Sequence, residues 1–271
     1  MRTWQVLVLV AGFLVAGGAS RAVRADEAQP PPQPWEQAGT QPGQEITGPD
    51  GGKMVWVPAG EFMMGWDEFD SMKPVHKVHI TKGFWVGKCT VTNAQYRRYC
   101  AEAGVDFPEE SDGGDSHPVV FIGWDDAVAY CKHYGLSLPT EAQREYVAAG
   151  PESRKYPWGN DWDQAKCCNK NHRGPGGKTF PVGSFPEGAS WCGALDMAGN
   201  VCEWCQDWYD DKYYAHSPAD DPPGPDTGTC RVLRGGSWLS GSRDCFRCAC
   251  RYSLDPRFRL KYYGFRCART P

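Results

Sequence analysis

Thirteen cysteines lie in this 271-residue chain, and none precedes Cys89. An odd count leaves at least one thiol free, joined to another chain or bound to a metal. The compartment decides which, and the first residues speak to it. Arg2, the apolar run from Val6 to Ala16 and the small or apolar residues up to Ala25 read as a secretory signal cut after Ala25. The run is well short of the roughly 20 residues that cross a bilayer, and no later apolar stretch is longer. The expectation is a secreted or periplasmic chain, with disulfides as the default and no membrane span after cleavage. The net charge is −4, and the signal removes Arg2, Arg21 and Arg24 but no acid. With no run of Lys and Arg, nucleic acid and anionic membrane surfaces are excluded as partners.

Residues 26–45 are rich in Pro, Gln, Glu and Gly and poor in aliphatics, a composition that reads as a flexible leader. From 46 to 271 aromatic residues and glycines are spread evenly with no linker, so one domain is expected. Thr92-Asn93-Ala94-Gln95 and Thr140-Glu141-Ala142-Gln143 are capping boxes opening helices to Ala103 and Ala149. Asp125 and Asp126 begin a third helix, with Ala127, Tyr130, Cys131 and Tyr134 on one face. Lys53–Pro58 and Val75–Ile80 read as strands. The sum is an α+β domain with much irregular chain.

Seven segments follow in order: MVWVPAGEFMMG at 54–65, VTNAQYRRYC at 91–100, HPVVFIGWDDAVAYCKHYGLSLPTEAQREYVAAG at 117–150, YPWGND at 156–161, LDMAGNVCEWCQDWY at 195–209, RVLRGGSW at 231–238 and YGFRCAR at 263–269. Together they resemble the formylglycine-generating enzyme, or sulfatase-modifying factor, family across nearly all of the chain after the leader. The resemblance implies a single domain with a variant of the C-type lectin fold. The same domain occurs in sulfoxide-forming and purely binding relatives, so it constrains fold more than activity.

For the active family members, the resemblance implies a copper(I) ion held by a cysteine three residues beyond Gly-Gly-Ser and a second five residues later. Soft thiolates suit that soft ion. Here Gly235, Gly236 and Ser237 place Ser240 at the first position and Cys245 at the second. Serine is a hard hydroxyl and a poor ligand for copper(I). Counted back from Cys267, the segment after Gly-Gly-Ser is two residues shorter than in the family's enzymes. Cys245 with Cys250, or Cys245 with Cys248, is then the substitute thiol pair; disulfides or packed thiols are the alternative. Ser237 matches a serine of the family's active-site groove, and equally suits a turn after two glycines.

The resemblance further implies a disulfide between Cys131 and Cys267, and a second bridge from Cys248 to a position here occupied by Ala148. It implies a calcium site from the Asp196 side chain, the Gly199 and Val201 carbonyls and the Glu203 carboxylate; the alternative is an Asp-initiated turn with Glu203 paired to an arginine. Cys202, Cys205, Cys245 and Cys248 also have the Cys-x-x-Cys spacing of a zinc site, a reading the resemblance undercuts. Adjacent Cys167 and Cys168 should find separate partners, since a vicinal bridge is strained. His76 and His79 fall on opposite faces of a strand, and Asp125–Asp126 and Asp210–Asp211 read as solvated carboxylates.

Two functions follow. One is a peptide- or glycan-binding module on a lectin-like scaffold that lacks the orthodox dithiol. The other is a copper- and O₂-dependent oxidase turning a cysteine of a client, such as a sulfatase with a Cys-x-Pro-x-Arg motif, into formylglycine.

Overall fold

The computed structural model describes Met1, residues 31–111 and residues 113–271. The signal expected over 1–25 and the leader as far as residue 30 lie outside the described residues, apart from Met1. The three helices sit where their caps predict. In α1 (Asn93–Ala103) the Gln95 amide donates to Thr92 Oγ1 at 3.3 Å and the Thr92 amide to Gln95 Oε1 at 3.0 Å; left-handed Gly104 ends the helix. α3 (Glu141–Ala149) repeats the exchange between Thr140 and Gln143 at 3.1 and 3.0 Å. Each box satisfies two amides that a helix start leaves unpaired. α2 (Trp124–His133) is entered through Gly123, whose amide donates to Asp126 Oδ2 at 2.9 Å. Asp126 is also paired with Arg259, at 2.7 Å.

Among the described residues ten short strands make three sheets. The first has the order β1 (Glu45–Thr47), β2 (Lys53–Val57), β5 (Phe84–Gly87), β10 (Ala268–Arg269), all antiparallel. β3 (Gly60–Met64) pairs with β4 (His76–Ile80). The third has the order β8 (Arg251–Leu254), β7 (Arg231–Arg234), β6 (Cys202–Trp208), β9 (Tyr263–Gly264), with β6 and β9 parallel.

β2 shows why its sequence does not alternate. Met54 and Trp56 face one cluster with Tyr96, Tyr130 and Cys131 of α1 and α2. Val55 and Val57 face another with Ala142, Tyr146 and Ala149 of α3. Successive strand residues point to opposite faces, and both faces here are covered. Burying each such large side chain contributes about 1.5–3 kcal/mol.

Pro32–Pro271 forms one compact unit, so the structure departs from the leader expected through residue 45. A short turn of helix spans Pro34–Glu36. The Trp85 indole donates to the Gln37 carbonyl at 2.8 Å, and the Gly43 amide to the Trp56 carbonyl at 3.0 Å. A Cβ on Gly39 would lie 2.3 Å from the Trp56 ring. The segment lacks aliphatics of its own and is held by two tryptophans of the sheet.

Candidate functional site

Beneath the Gly-Gly-Ser segment lies a set of buried charges. Arg144, Arg234 and Arg266 are each at most 1% exposed, which demands partners for all three. Arg144 and Arg266 share Glu203, Arg234 pairs with Glu145 and reaches Glu141 at 3.5 Å, and Arg251 binds Glu141 through two contacts of 2.7 Å. Burial pushes the carboxyls of Glu141 and Glu203 up, but the adjacent guanidinium groups outweigh it and hold both below the usual range. For Glu145 burial wins over Arg234 and the carboxyl is raised. The sequence reading offered the pairing of Glu203 with an arginine as one alternative; the rest of the lattice, Glu141 and Glu145 with Arg234 and Arg251, was missed.

The lattice anchors a tight turn. Gly235 and Gly236 have φ of 97° and 70°. A Cβ on Gly235 would meet Arg144 Nη2 at 2.5 Å, and one on Gly236 the Cys245 carbonyl at 2.8 Å. Only glycine combines that backbone with that approach. Ser237 and Ser240 then close on each other: the Ser237 amide donates to Ser240 Oγ at 3.1 Å and the Ser240 amide to the Ser237 carbonyl at 2.9 Å. Ser237 Oγ accepts from the Leu239 amide at 3.3 Å. Both hydroxyls therefore serve the turn.

Cys245 and Cys250 lie in separate apolar clusters. Cys245 is half-buried beside Tyr156, Trp158, Trp162 and Phe246, whereas Cys250 is buried beside Met72 and Trp66. Both thiols lie near enough to Tyr252, a residue that the sequence reading overlooked, to disfavour ionisation of its hydroxyl, although burial is the main cause. The Cys250-Arg251-Tyr252 spacing at the entry to β8 was the available signal. Burial pushes the Cys250 thiol up to about 11 against the Tyr252 hydrogen bond and Arg234. That disfavours the thiolate a soft metal requires. Ser240, three residues beyond Gly-Gly-Ser, presents a hydroxyl that accepts from the Ser237 amide.

The calcium expectation fares no better. Both Glu203 oxygens are engaged: Oε1 by Arg144 at 3.0 Å and Arg266 at 2.9 Å, Oε2 by Arg266 at 2.6 Å. Two guanidinium groups in contact repel a divalent cation. Asp196 Oδ2 accepts from the Gly183 amide at 2.7 Å, and Gly199 is clamped between the carbonyls of Cys168 and Gly235. Asp196, Gly199, Val201 and Glu203 make an Asp-initiated turn with its glutamate paired to arginine, and do not fit a calcium cage of six to eight free oxygens.

The remaining thiols are dispersed. Cys131 Sγ lies 3.6 Å from Cys267 Sγ, unbonded here. Cys248 packs in one cluster with Ala148 and with Cys192. Cys167 faces Phe246 and Cys168 faces Trp238, in separate clusters. Among the described residues no three His, Cys, Asp or Glu side chains converge to hold a metal, and the zinc spacing is not assembled.

Beside Trp238 opens a cavity of ≈ 260 Å³, lined among others by Glu110, Phe121, Gly177, Lys178, Trp238 and Lys261, and by no cysteine. The Trp238 indole donates to the Lys261 carbonyl at 3.2 Å and its ring lies 5.4 Å from Lys261 Nζ.

The family model for the sulfatase-modifying factor enzyme 1-like domain matches residues 39–271. The chain is 35% identical over 282 positions to the formylglycine-generating enzyme of Streptomyces coelicolor, covering 79% of this chain and 88% of that protein. It is 36% identical over 242 positions to the serine/threonine-protein kinase Pkn1 of Chlamydia trachomatis serovar L2, covering 80% of this chain but 38% of that protein. The structure of PvdO from Pseudomonas aeruginosa superposes with a TM-score of 0.74 at 28% identity, over 86% of this chain and 100% of PvdO. With three capped helices, three short sheets among the described residues and a family match over residues 39–271, the chain belongs to the formylglycine-generating enzyme, or sulfatase-modifying factor, family.

Proposed function

We propose that this chain is an exported member of the family that binds a peptide or glycan and lacks the orthodox copper dithiol. The observation that carries the reading is Ser240: a hydroxyl stands at the first thiol position, and it is spent on the Ser237 amide. The cavity beside Trp238 supports a binding role, because it is concave and lined by aromatic and charged side chains without a sulfur. The Pkn1 relative supports separating family from chemistry, since this domain accounts for 38% of a protein named for a different activity. Arg2, the apolar run and the small residues before Asp26 support export. The test is incubation of the mature protein with copper(I), O₂, a reductant and a Cys-x-Pro-x-Arg peptide, read by mass spectrometry. The peptide should be recovered without an aldehyde from correctly folded protein; stoichiometric aldehyde would overturn the reading.

One observation favours a second reading, an oxidase acting on a client cysteine such as that of a sulfatase. Cys245 and Cys250 both lie near enough to Tyr252 to perturb its hydroxyl, and could act as a displaced thiol pair. In that case aldehyde forms, and Cys245→Ala and Cys250→Ala each abolish it.

A further inference from the structure

A groove runs beside the loop that follows α1. Asp106, Phe107, Pro108 and Glu110 line two adjoining hollows of ≈ 750 and ≈ 470 Å³. Buried Tyr96 and Ile122 floor the second, and half-buried Phe107, Pro108 and Phe121 wall it. The loop is held at both ends. The Cys100 thiol donates to the Asp106 carbonyl at 3.6 Å. Ser111, 1% exposed, donates its hydroxyl to Asn93 Oδ1 at 2.7 Å and accepts from the Val120 amide at 2.9 Å. The groove is thus formed before a ligand arrives, which lowers the ordering cost of binding.

The cations that line it are already engaged. Arg97 lies over the Phe107 ring, 3.7 Å from its centre, and pairs with Asp115 at 3.7 Å. Arg259 meets Asp126 through two contacts of 2.7 and 2.9 Å. Asp106, Glu109 and Glu110 are exposed and enter no ion pair among the described residues. Glu110 also borders the cavity beside Trp238, whereas Asp106 and Glu109 do not. The groove therefore offers carboxylates above an apolar surface, the complement of a cation carried on an apolar stem.

Either hollow alone falls within the roughly 300–1,000 Å³ of small-molecule pockets. Their common wall favours a longer occupant. An extended polypeptide sets the side chains of one face about 7 Å apart and can fill neighbouring hollows in step. A neutral or acidic glycan brings no cation to the carboxylates.

We infer that this groove binds a basic segment of a polypeptide, with the stem of an arginine or lysine on Phe107 and Pro108 and its charged end at Asp106 and Glu109. The groove shares no lining residue with the Gly-Gly-Ser turn or with Cys245 and Cys250, and this binding is independent of whether the copper assay yields aldehyde.

The experiment uses the mature protein and two end-blocked, fluorescently labelled hexapeptides without cysteine or proline, read by anisotropy. One carries arginine at alternate positions and the other carries citrulline, the neutral isostere, in its place. The arginine peptide should bind about tenfold more tightly, the scale of one charge-assisted contact. The preference should shrink as salt rises from about 50 to about 500 mM. Asp106→Asn combined with Glu109→Gln, both at exposed positions, should remove it with an unchanged circular dichroism spectrum. Asp106→Glu combined with Glu109→Asp should keep it. Equal binding of the two peptides, insensitivity to the double neutralisation, or no binding of either would overturn the inference. Spermidine that binds more tightly than the arginine peptide, and is lost in the neutralised double variant, would assign the groove to a free polyamine and overturn the polypeptide occupant. Aldehyde in the copper assay with the arginine preference intact sinks only the binding-module reading; no aldehyde and no preference sinks only the groove.

Discussion

Arg266 and Glu203 meet through two parallel hydrogen bonds, Nε to Oε2 at 2.6 Å and Nη2 to Oε1 at 2.9 Å, with neither side chain reached by solvent. The pair joins the last motif of the chain to β6, and Arg144 from α3 completes it. Removing the acid would leave two buried guanidinium groups with their main counter-charge gone. Glu203→Gln is accordingly expected to lower the unfolding free energy by about 3–5 kcal/mol, the usual consequence of breaking a buried pair. Urea denaturation at neutral pH measures it; a loss below about 1 kcal/mol would mean that the lattice carries little of the stability.

The same engagement of Glu203 predicts indifference to calcium. A site filled at a hundred times its dissociation constant would stabilise the protein by about 2.7 kcal/mol. Melting temperature in excess calcium and in a calcium chelator should agree within error. A clear rise with calcium would show that the arginines yield Glu203 to the ion.

Asp196 supplies a pH dependence. Burial raises its carboxyl from the usual 3.8 to about 6, opposed by the Gly183 amide and Arg266 and reinforced by Glu203. The neighbouring thiols Cys89 and Cys168 are pushed up to about 12 and stay uncharged near neutrality. An acid whose folded pKa is raised binds its proton more tightly in the native state. Its contribution is complete below pH 3.8 and is lost as pH rises through 6, about 3 kcal/mol in all. Asp196→Asn keeps an acceptor for Gly183 and removes the titration. Between pH 4 and 7 the wild type should therefore lose about 3 kcal/mol more stability than this variant; parallel profiles would rule out Asp196 as the source.

What the residues revealed in advance divides along physical lines. The helices were legible because a capping box is local: Thr92 with Gln95, and Thr140 with Gln143, exchange hydrogen bonds within four residues. The strands at Lys53–Val57 and His76–Ile80 were legible from composition, and the family from the order of its motifs. Glu145 with Arg234 is an encounter of side chains 89 positions apart, and neither looks buried in sequence, where charge signals a surface. Gln37 and Gly43 belong to a segment with no core of its own and were misjudged because Trp56 and Trp85 cover it from outside. At the site, the Ser240 substitution was visible as a letter. That its hydroxyl closes a turn, and that Cys245 and Cys250 pack in different clusters, required three-dimensional contacts.

Cys131 and Cys267 stand with sulfurs 3.6 Å apart, α2 against the end of the chain, close enough to join with little rearrangement. In an oxidising compartment the bridge should form and close a loop of well over a hundred residues, worth about 4–5 kcal/mol in the chain-entropy account. Peptide mapping without reductant should recover the two cysteines linked. Reduction should destabilise the wild type by that amount more than a Cys131→Ala, Cys267→Ala double variant; an equal response would place the stabilising bridges elsewhere.

Ser240→Cys gives the sharpest separation of the two functional readings. The replacement returns a thiol to the turn beside Ser237 at the cost of one half-exposed hydrogen bond, so folding should be affected by no more than about 1 kcal/mol. If the missing soft ligand is what silences the site, the variant should take up one equivalent of copper(I) under competition with a chelator that keeps the wild type empty. Cys245→Ala in the same background should abolish the uptake. If instead the wild type already binds copper(I) as tightly as the variant, and Cys250→Ala releases it, the thiols at Tyr252 hold the ion and the displaced-pair oxidase is the better account. Copper bound equally by all of these proteins would count against both readings, because neither position 240 nor Cys250 would then govern the metal.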